Sequence, residues 1–221
     1  MFNNSKRKEE RLNSRLPDTL NTSSYNMVIG VCLAYGFLMN AIMVMVASNF
    51  FMEMNPIAFL IGYIVCVIAG SLMTSLSRNP IVSFIGYNLI VVPIGALLAV
   101  CIPSYDPADI IAAVVVTAMI TGVMMLLGIM FREFFSKLGI VLFVSLLVGI
   151  VIEFIAMLLG YGGDIFNWLF VIIFSLYIGY DWHKAQSYPK TLDNAIDSAV
   201  DLYLDIINIF IRLLEIFGKK D

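Results

Sequence analysis

The sequence predicts an all-α integral membrane protein with seven transmembrane helices. Of its 221 residues, 61% are hydrophobic and 13% are charged, and the mean hydropathy is +0.93. A soluble domain is about half apolar and a quarter charged. The charges lie between long uncharged windows, and a bilayer core about 30 Å thick requires helices of roughly 20 such residues. A transmembrane barrel would alternate apolar and polar residues instead.

Seven windows give the predicted spans. They cover, approximately, residues 25–47, 56–76, 81–101, 110–131, 138–160, 165–184 and 197–217. Residues 1–24 contain five basic side chains among Asn, Ser and Glu, a composition with too little apolar surface to fold alone. We therefore expect a flexible cytoplasmic tail followed by a transmembrane domain over residues 25–221. The polar content of the last window leaves a re-entrant or six-span alternative open.

Basic residues indicate the orientation, because short cytoplasmic loops retain Lys and Arg. With the N-terminus inside, ten of the 13 basic residues lie in the tail and the cytoplasmic loops, and the three opposite loops contain none. An odd number of spans then places the C-terminus outside. The short tail and compact loops favour a bacterial plasma membrane, while an endomembrane location stays open.

Several classes of function are disfavoured. The net charge of -3 offers no basic surface for nucleic acid. The sequence contains no GxSxG or HExxH motif and no glycine-rich phosphate loop with its lysine, so neither an enzyme nor a bound cofactor is indicated. A retinal-type receptor would need a lysine within the last helix, and the last predicted span contains none, so this class is disfavoured as well. Cys32, Cys66 and Cys101 lie in apolar windows without CxxC spacing, which predicts small buried side chains.

The last predicted helix carries a polar stripe. Its members recur at steps of three and four, which places them within about a quarter of the helix circumference: Asp197, Asp201, Asp205, Asn208, Arg212 and Glu215. An ionisable group in hydrocarbon is costly unless it is paired or faces water. The stripe therefore predicts a central helix, with Asp201, Asn208, Arg212 and Glu215 as candidate pore-lining residues. The alternative is an amphipathic helix on the membrane surface.

Two carboxylates form the strongest candidate site. Asp181 lies near the cytoplasmic end of the sixth span, and a short loop could bring it to the depth of Asp205. Such a pair should titrate as one coupled unit and could bind a hard cation such as calcium. Arg78, ending the second span, is the nearest cation by the same reasoning. Glu153, alone in the fifth span, is either a further pore-lining residue or an interhelical hydrogen-bonding group. The lone His183 is weak evidence for a transition metal.

The C-terminal segments resemble the Bax inhibitor-1 family. The resemblance is carried by FSLYIGYDWHKAQ over 174–186 and DLYLDIINIFIRLLEIFG over 201–218, with AVVVTAMI over 113–120 as a further similar segment. It implies six helices surrounding the last one and, for bacterial members, a pH-sensitive calcium leak channel. Asp181 and Asp205 would be its di-aspartyl sensor, and Arg78 would latch onto them. The second span here lacks the acidic residue of the family pattern, and Glu153 is not part of that pattern.

The leading hypothesis is a passive calcium-permeable channel gated by protonation of Asp181 and Asp205, with the lipid bilayer, calcium ions and protons as partners. Calcium would be the transported ion. One alternative is a regulator that binds other membrane proteins, of the cell-death-suppressing kind that eukaryotic relatives imply. Another is a proton-coupled cation exchanger, because a buried carboxylate pair serves transport as readily as gating.

Overall fold

The computed structural model describes residues 19–161 and 163–218, and all the regular structure in these residues is helical. The predicted all-α class is therefore confirmed. In chain order the helices are α1 (Thr22–Met52), α2 (Pro56–Leu76), α3 (Pro80–Cys101), a 3-10 turn (Ile102–Ser104), α4 (Pro107–Met130), the short α5 (Arg132–Lys137), α6 (Gly139–Leu158), α7 (Asp164–Ser187) and α8 (Leu192–Phe217). Most of the predicted tail, residues 1–18, lies outside the described residues.

Within the described residues, six helices are long and apolar enough to cross a membrane, namely α1, α2, α3, α4, α6 and α7. At 1.5 Å per residue, the 26 residues of α8 reach about 39 Å, which is also sufficient. Helix α8 is not among these six helices because it contains too many charged residues. The structure thus supports six spans by length and composition, and a seventh span stays a prediction.

Short polar residues begin the first three helices. The side chain of Asn21 accepts a hydrogen bond from the Ser24 amide at 2.8 Å, and Asn79 does the same for the Ile81 amide at 3.0 Å. Asn55 accepts from the amides of the residues two and three positions later. These side chains satisfy amides that have no partner within the first turn of a helix. The helix limits follow from this capping as well as from hydropathy.

The limits of α1 and α8 differ from the prediction. Helix α1 begins at Thr22, three residues before the predicted span, and α8 begins at Leu192, five residues before. Hydropathy treats the polar start of α8 as a loop, but Asp193 is buried there and accepts a hydrogen bond from the Ser83 hydroxyl at 2.7 Å. Because a partner in α3 satisfies this carboxylate, the helix extends through polar sequence.

The chain divides into two compact units. Of the described residues, one unit contains 19–103 together with Ala185–Val200, and the other contains 104–161, 163–184 and 201–218. In the first unit, α3 packs against both α1 and α2. A Cβ atom at Gly70 would lie 2.5 Å from the carbonyl oxygen of Gly86, so only glycine permits this approach of α2 to α3.

The cysteines do not share one environment. Cys32 is buried, as predicted, and its carbonyl oxygen accepts a hydrogen bond from the Tyr87 hydroxyl at 2.8 Å. Cys66 is half-buried and Cys101 is exposed. The prediction of a buried side chain is therefore wrong for Cys101, which ends α3, because an apolar window does not distinguish a core-facing position from an outward-facing one.

The loop between α7 and α8 is fastened to the start of α1. The Lys190 ammonium donates to the carbonyl oxygens of Ala185 and Gln186, at 3.1 and 2.9 Å, and lies 4.5 Å from the centre of the Tyr25 ring. The Tyr25 hydroxyl in turn donates to the carbonyl oxygen of Asn194 at 3.2 Å. Burial lowers the pKa of Lys190. The first helix thus holds the connection between the two helices that carry Asp181 and Asp205.

Candidate functional site

Asp181 of α7 and Asp205 of α8 come together, as the sequence predicted. The two residues are 8% and 5% exposed, respectively, and their carboxyl groups interact electrostatically with each other. Among the residues that the structure describes, the Oδ2 atom of Asp205 is buried without a hydrogen-bond partner. A buried carboxyl oxygen without a partner is unusual, because the desolvation of a polar atom is normally repaid by a hydrogen bond. The pair therefore has unused capacity for a proton or a cation.

Lys184 is the cation that the structure places at this pair. Its Nζ atom lies 3.1 Å from Oδ1 of Asp181 and 2.6 Å from Oδ2 of Asp201. Asp201 is more exposed than the other two carboxylates, with 40% of its side chain accessible. We did not predict this role for Lys184, although its position three residues after Asp181 is the spacing that brings two side chains onto one face of a helix.

Close backbone packing positions this part of α7. A Cβ atom at Gly128 of α4 would lie 2.5 Å from the carbonyl oxygen of Gly179, and one at Gly179 would overlap the Phe135 ring. One at Gly139 would lie 2.6 Å from the Tyr180 hydroxyl oxygen. Glycine at these three positions lets α4, α5 and α6 approach α7 within two residues of Asp181. The aspartate therefore projects from a tightly packed segment.

Arg78 lies in the loop between α2 and α3 and is exposed. It belongs to the first compact unit, whereas Asp181 and Asp205 belong to the second. The predicted latch between Arg78 and the carboxylates stays a prediction. His183 is half-buried in α7. Within the described ranges, no group of three or more His, Cys, Asp or Glu side chains is arranged to hold a metal ion.

Glu153 and Arg212, both candidates from the sequence, form an ion pair. The Arg212 guanidinium donates to both carboxylate oxygens of Glu153, at 2.5 and 3.0 Å, and to the Asn167 side-chain oxygen at 2.8 Å. It also lies 4.5 Å from the centre of the Phe170 ring. Glu153 was predicted to be either a pore-lining residue or an interhelical hydrogen-bonding group, and the interhelical hydrogen bond is confirmed. Its partner is a charged residue of α8, and Asn167 was missed because a single Asn in an apolar helix carries no periodic signal.

A cavity of about 710 Å³ lies beside this ion pair. Its polar lining includes Glu153, Asn167, Arg212 and Glu215, and its apolar lining includes Ile150, Phe154, Met157 and Phe166. Glu215 is 3.9 Å from the Arg212 guanidinium, too far for a hydrogen bond. Three of the predicted pore-lining residues therefore face one cavity.

The remaining stripe residues differ in their environments. Asp197 is buried, and Asn208 is half-buried with its amide donating to the Leu204 carbonyl oxygen at 2.7 Å. Many apolar residues of α8 are buried too, among them Leu202, Tyr203, Ile206, Ile207, Ile209, Phe210, Leu213 and Leu214. This burial on several sides is expected of a helix packed within protein, whereas a helix on a membrane surface exposes one face to water.

Together these features define a class, a multi-pass helical membrane protein with buried carboxyl groups on its last two long helices. The model of the family described as "Inhibitor of apoptosis-promoting Bax1" matches residues 20–221. The chain therefore belongs to the Bax inhibitor-1 family, and the resemblance seen in the C-terminal segments is confirmed.

Curated relatives are bacterial. The chain is 28% identical over 212 residues to the inner membrane protein YbhL of Escherichia coli strain K12, which covers 85% of this chain and 88% of that protein. An uncharacterized protein of Helicobacter pylori is 34% identical over 127 residues, or 55% of this chain and 53% of that protein. The chain thus spans about half the length of the Helicobacter relatives it matches. An uncharacterized membrane protein of Streptococcus pyogenes is 28% identical over 135 residues, or 58% of this chain and 59% of that protein.

Proposed function

We propose that the chain is a pH-sensitive calcium-permeable leak channel whose opening depends on the protonation of Asp181 and Asp205. The observation that carries the proposal is the burial of both carboxyl groups, which interact electrostatically with each other. Two ionised carboxylates in a poorly hydrated site repel each other, so the pair favours a proton that the two groups share. The contact between α7 and α8 therefore depends on the number of protons bound.

Charge explains how the number of protons would act on the two helices. Removal of the shared proton leaves two negative charges in contact within a poorly hydrated site, where like charges repel strongly. Full protonation removes the attraction of the carboxylates for neighbouring cations. Either change alters the contact of α7 with α8. A pH-dependent channel requires two conformations whose populations change with protonation in this way.

The ion path in this proposal follows the polar face of α8. Asp201, Asn208, Arg212 and Glu215 would line the path, with Glu153 contributing from α6. The proposal adopts a central α8 as the seventh span, a cytoplasmic N-terminus and an external C-terminus. Calcium is the permeating ion in this scheme and not a resident metal. Arg78 would latch the carboxylates in the closed state.

Flux into liposomes containing only the purified protein tests the proposal. The wild-type protein should release calcium down its gradient at a rate that depends on pH. Asp181→Asn and Asp205→Asn should each shift or flatten that dependence, and the double variant should add little, because the two residues act as one unit. Arg78→Ala should raise the leak near neutral pH. Glu133→Gln, which removes an exposed carboxylate of α5, is the matched control and should retain the wild-type profile.

Two results would contradict the proposal. If both aspartate variants keep the wild-type flux and pH profile, the di-aspartyl mechanism is wrong. If the wild-type protein conducts nothing, a regulator that binds other membrane proteins gains support, a role that the family description favours. A flux that requires a proton gradient, and not merely a given pH, would instead indicate an exchanger.

A further inference from the structure

The cavity beside the Glu153–Arg212 ion pair has the size and the lining of a small-molecule site. Its volume is about 710 Å³. Such sites usually measure roughly 300–1,000 Å³ and are mostly apolar, with a few polar groups. The apolar and aromatic side chains of the lining are Tyr105, Ile150, Phe154, Met157, Tyr161 and Phe166. Every described residue of the lining belongs to the second compact unit, so the cavity is formed within one unit.

The lining of this cavity carries more negative than positive charge. Among its described residues, Arg212 is the cation and Glu153 and Glu215 are the carboxylates, so one negative charge is in excess. Both oxygens of the Glu153 carboxylate accept hydrogen bonds from Arg212, which also donates to Asn167. Glu215, by contrast, lies 3.9 Å from the guanidinium, and 42% of its side chain is exposed. The excess charge therefore lies on Glu215, whose oxygens are accessible to a hydrogen-bond donor.

An organic cation fits this lining better than a metal ion or an anion. A hard metal ion such as calcium takes six to eight oxygen ligands. The lining is mostly apolar and offers one carboxylate that is not hydrogen bonded to Arg212. An anion would be repelled by the excess negative charge, and the guanidinium is already bound to Glu153. An alkylammonium group donates hydrogen bonds to a carboxylate and is attracted to aromatic rings such as those of Phe154 and Phe166.

We propose that this cavity binds an amphiphilic amine, with the ammonium group against Glu215 and the apolar chain along Ile150, Phe154 and Met157. Phe154 and Met157 are exposed on α6, so the chain of the ligand can extend from the cavity into the surrounding bilayer. The Glu153–Arg212 ion pair stays intact in this mode of binding. A lipid with an ammonium headgroup and a free alkylamine both present this chemistry. The inference concerns ligand binding and goes beyond the proposed ion flux.

Equilibrium dialysis of octylamine against the purified full chain in detergent tests the proposal. Glu215→Gln removes the charge but keeps the size of the side chain, so it should bind octylamine about tenfold more weakly than the wild type does. 1-Octanol, which has the same chain without the charge, should bind both proteins equally. Glu133→Gln, which removes an exposed carboxylate of α5, is the matched control and should retain the wild-type affinity for octylamine. An unchanged affinity of Glu215→Gln for octylamine overturns the inference, and so does an equal loss of affinity for 1-octanol.

Competition between octylamine and added phospholipid distinguishes the two sources of the amine. If phosphatidylethanolamine displaces octylamine and phosphatidylglycerol does not, the ligand is a lipid with an ammonium headgroup. If neither lipid displaces it, the ligand is a free amine. Equal displacement by the two lipids overturns the inference, because the charge of the headgroup would then not matter.

Carbodiimide coupling on the wild-type protein avoids any effect of a substitution on folding. The reagent activates a carboxylate, and an amine bound beside it then forms an amide that mass spectrometry locates in the chain. Coupling of octylamine at Glu215 should saturate as the cavity fills, whereas coupling at the exposed Glu133 should rise in proportion to the octylamine concentration. The same dependence at both residues overturns the inference. None of these measurements requires ion flux, so an absence of calcium flux in liposomes would contradict the proposed function alone.

Discussion

The carboxylate of Glu153 in α6 binds the guanidinium of Arg212 in α8 through two hydrogen bonds, at 2.5 and 3.0 Å. Removing Arg212 leaves the half-buried Glu153 carboxylate without this counter-ion, and removing Glu153 leaves the guanidinium with only the more distant Glu215, so each of Glu153→Gln and Arg212→Met should destabilise the protein. The double variant should be less destabilised than the sum of the two. We expect a coupling energy on the order of 1 kcal/mol or more from a double-mutant cycle of unfolding in detergent. Additive effects would contradict a direct interaction.

The environment of α8 predicts a contrast between neighbouring positions. Ile207 is 4% exposed, whereas Asn208 is half-buried on the polar stripe. Ile207→Asp places a charge among apolar groups and should cost roughly 2.5–3.5 kcal/mol, the range for an acidic side chain at the centre of a membrane helix. Asn208→Asp should be tolerated better. Expression level and thermal stability of the two variants provide the measurement, and equal values would argue against a polar face directed into protein or water.

The distribution of basic residues predicts that the turn between α3 and α4 is external. A cysteine at Ser104, in a protein from which Cys32, Cys66 and Cys101 have been removed, should react with an impermeant thiol reagent in intact cells. Removal of Cys101 is essential, because that side chain is exposed three residues away. Labelling that occurs only after lysis would show that this turn is cytoplasmic and that the predicted orientation is wrong.

Lys190 predicts a stability change at alkaline pH. Burial lowers the pKa of its ammonium below the ordinary value of 10.5, so between the two values the unfolded chain holds a proton that the folded chain has released. The free energy of unfolding should therefore gain a contribution as the pH rises toward 10.5. Lys190→Met removes this contribution, so the difference in unfolding free energy between the wild type and the variant should grow from neutral to alkaline pH. A difference that is independent of pH would contradict a perturbed Lys190.

The sequence predicted those contacts that follow from chain connectivity. Asp181 and Asp205 lie on helices joined by a short loop, so their proximity could be inferred from spacing and depth alone. The ion pair of Glu153 with Arg212 could not, because 59 residues and an intervening helix separate its members. Residues were proposed at both positions, but hydropathy contains no information on which faces of two distant helices meet.

Lys184 shows a second limit of sequence analysis. Its charge was used to assign orientation, which treats a lysine near the end of a span as a loop residue. In the structure α7 continues to Ser187, so Lys184 is helical and shares a face with Asp181. The true helix end depends on contacts beyond the apolar window, such as those of Lys190 with the last carbonyl groups of α7.

The close approach of Gly128 to Gly179 has a consequence for variation in this protein. The spacing of α4 and α7 at this crossing is determined by main-chain atoms, since neither glycine has a side chain that could repack. An alanine at position 128 would push against the Gly179 carbonyl group and displace the backbone two residues before Asp181. The geometry of the carboxylate pair is therefore sensitive to substitution at a position 53 residues earlier in the chain, although that position carries no charged or titratable group.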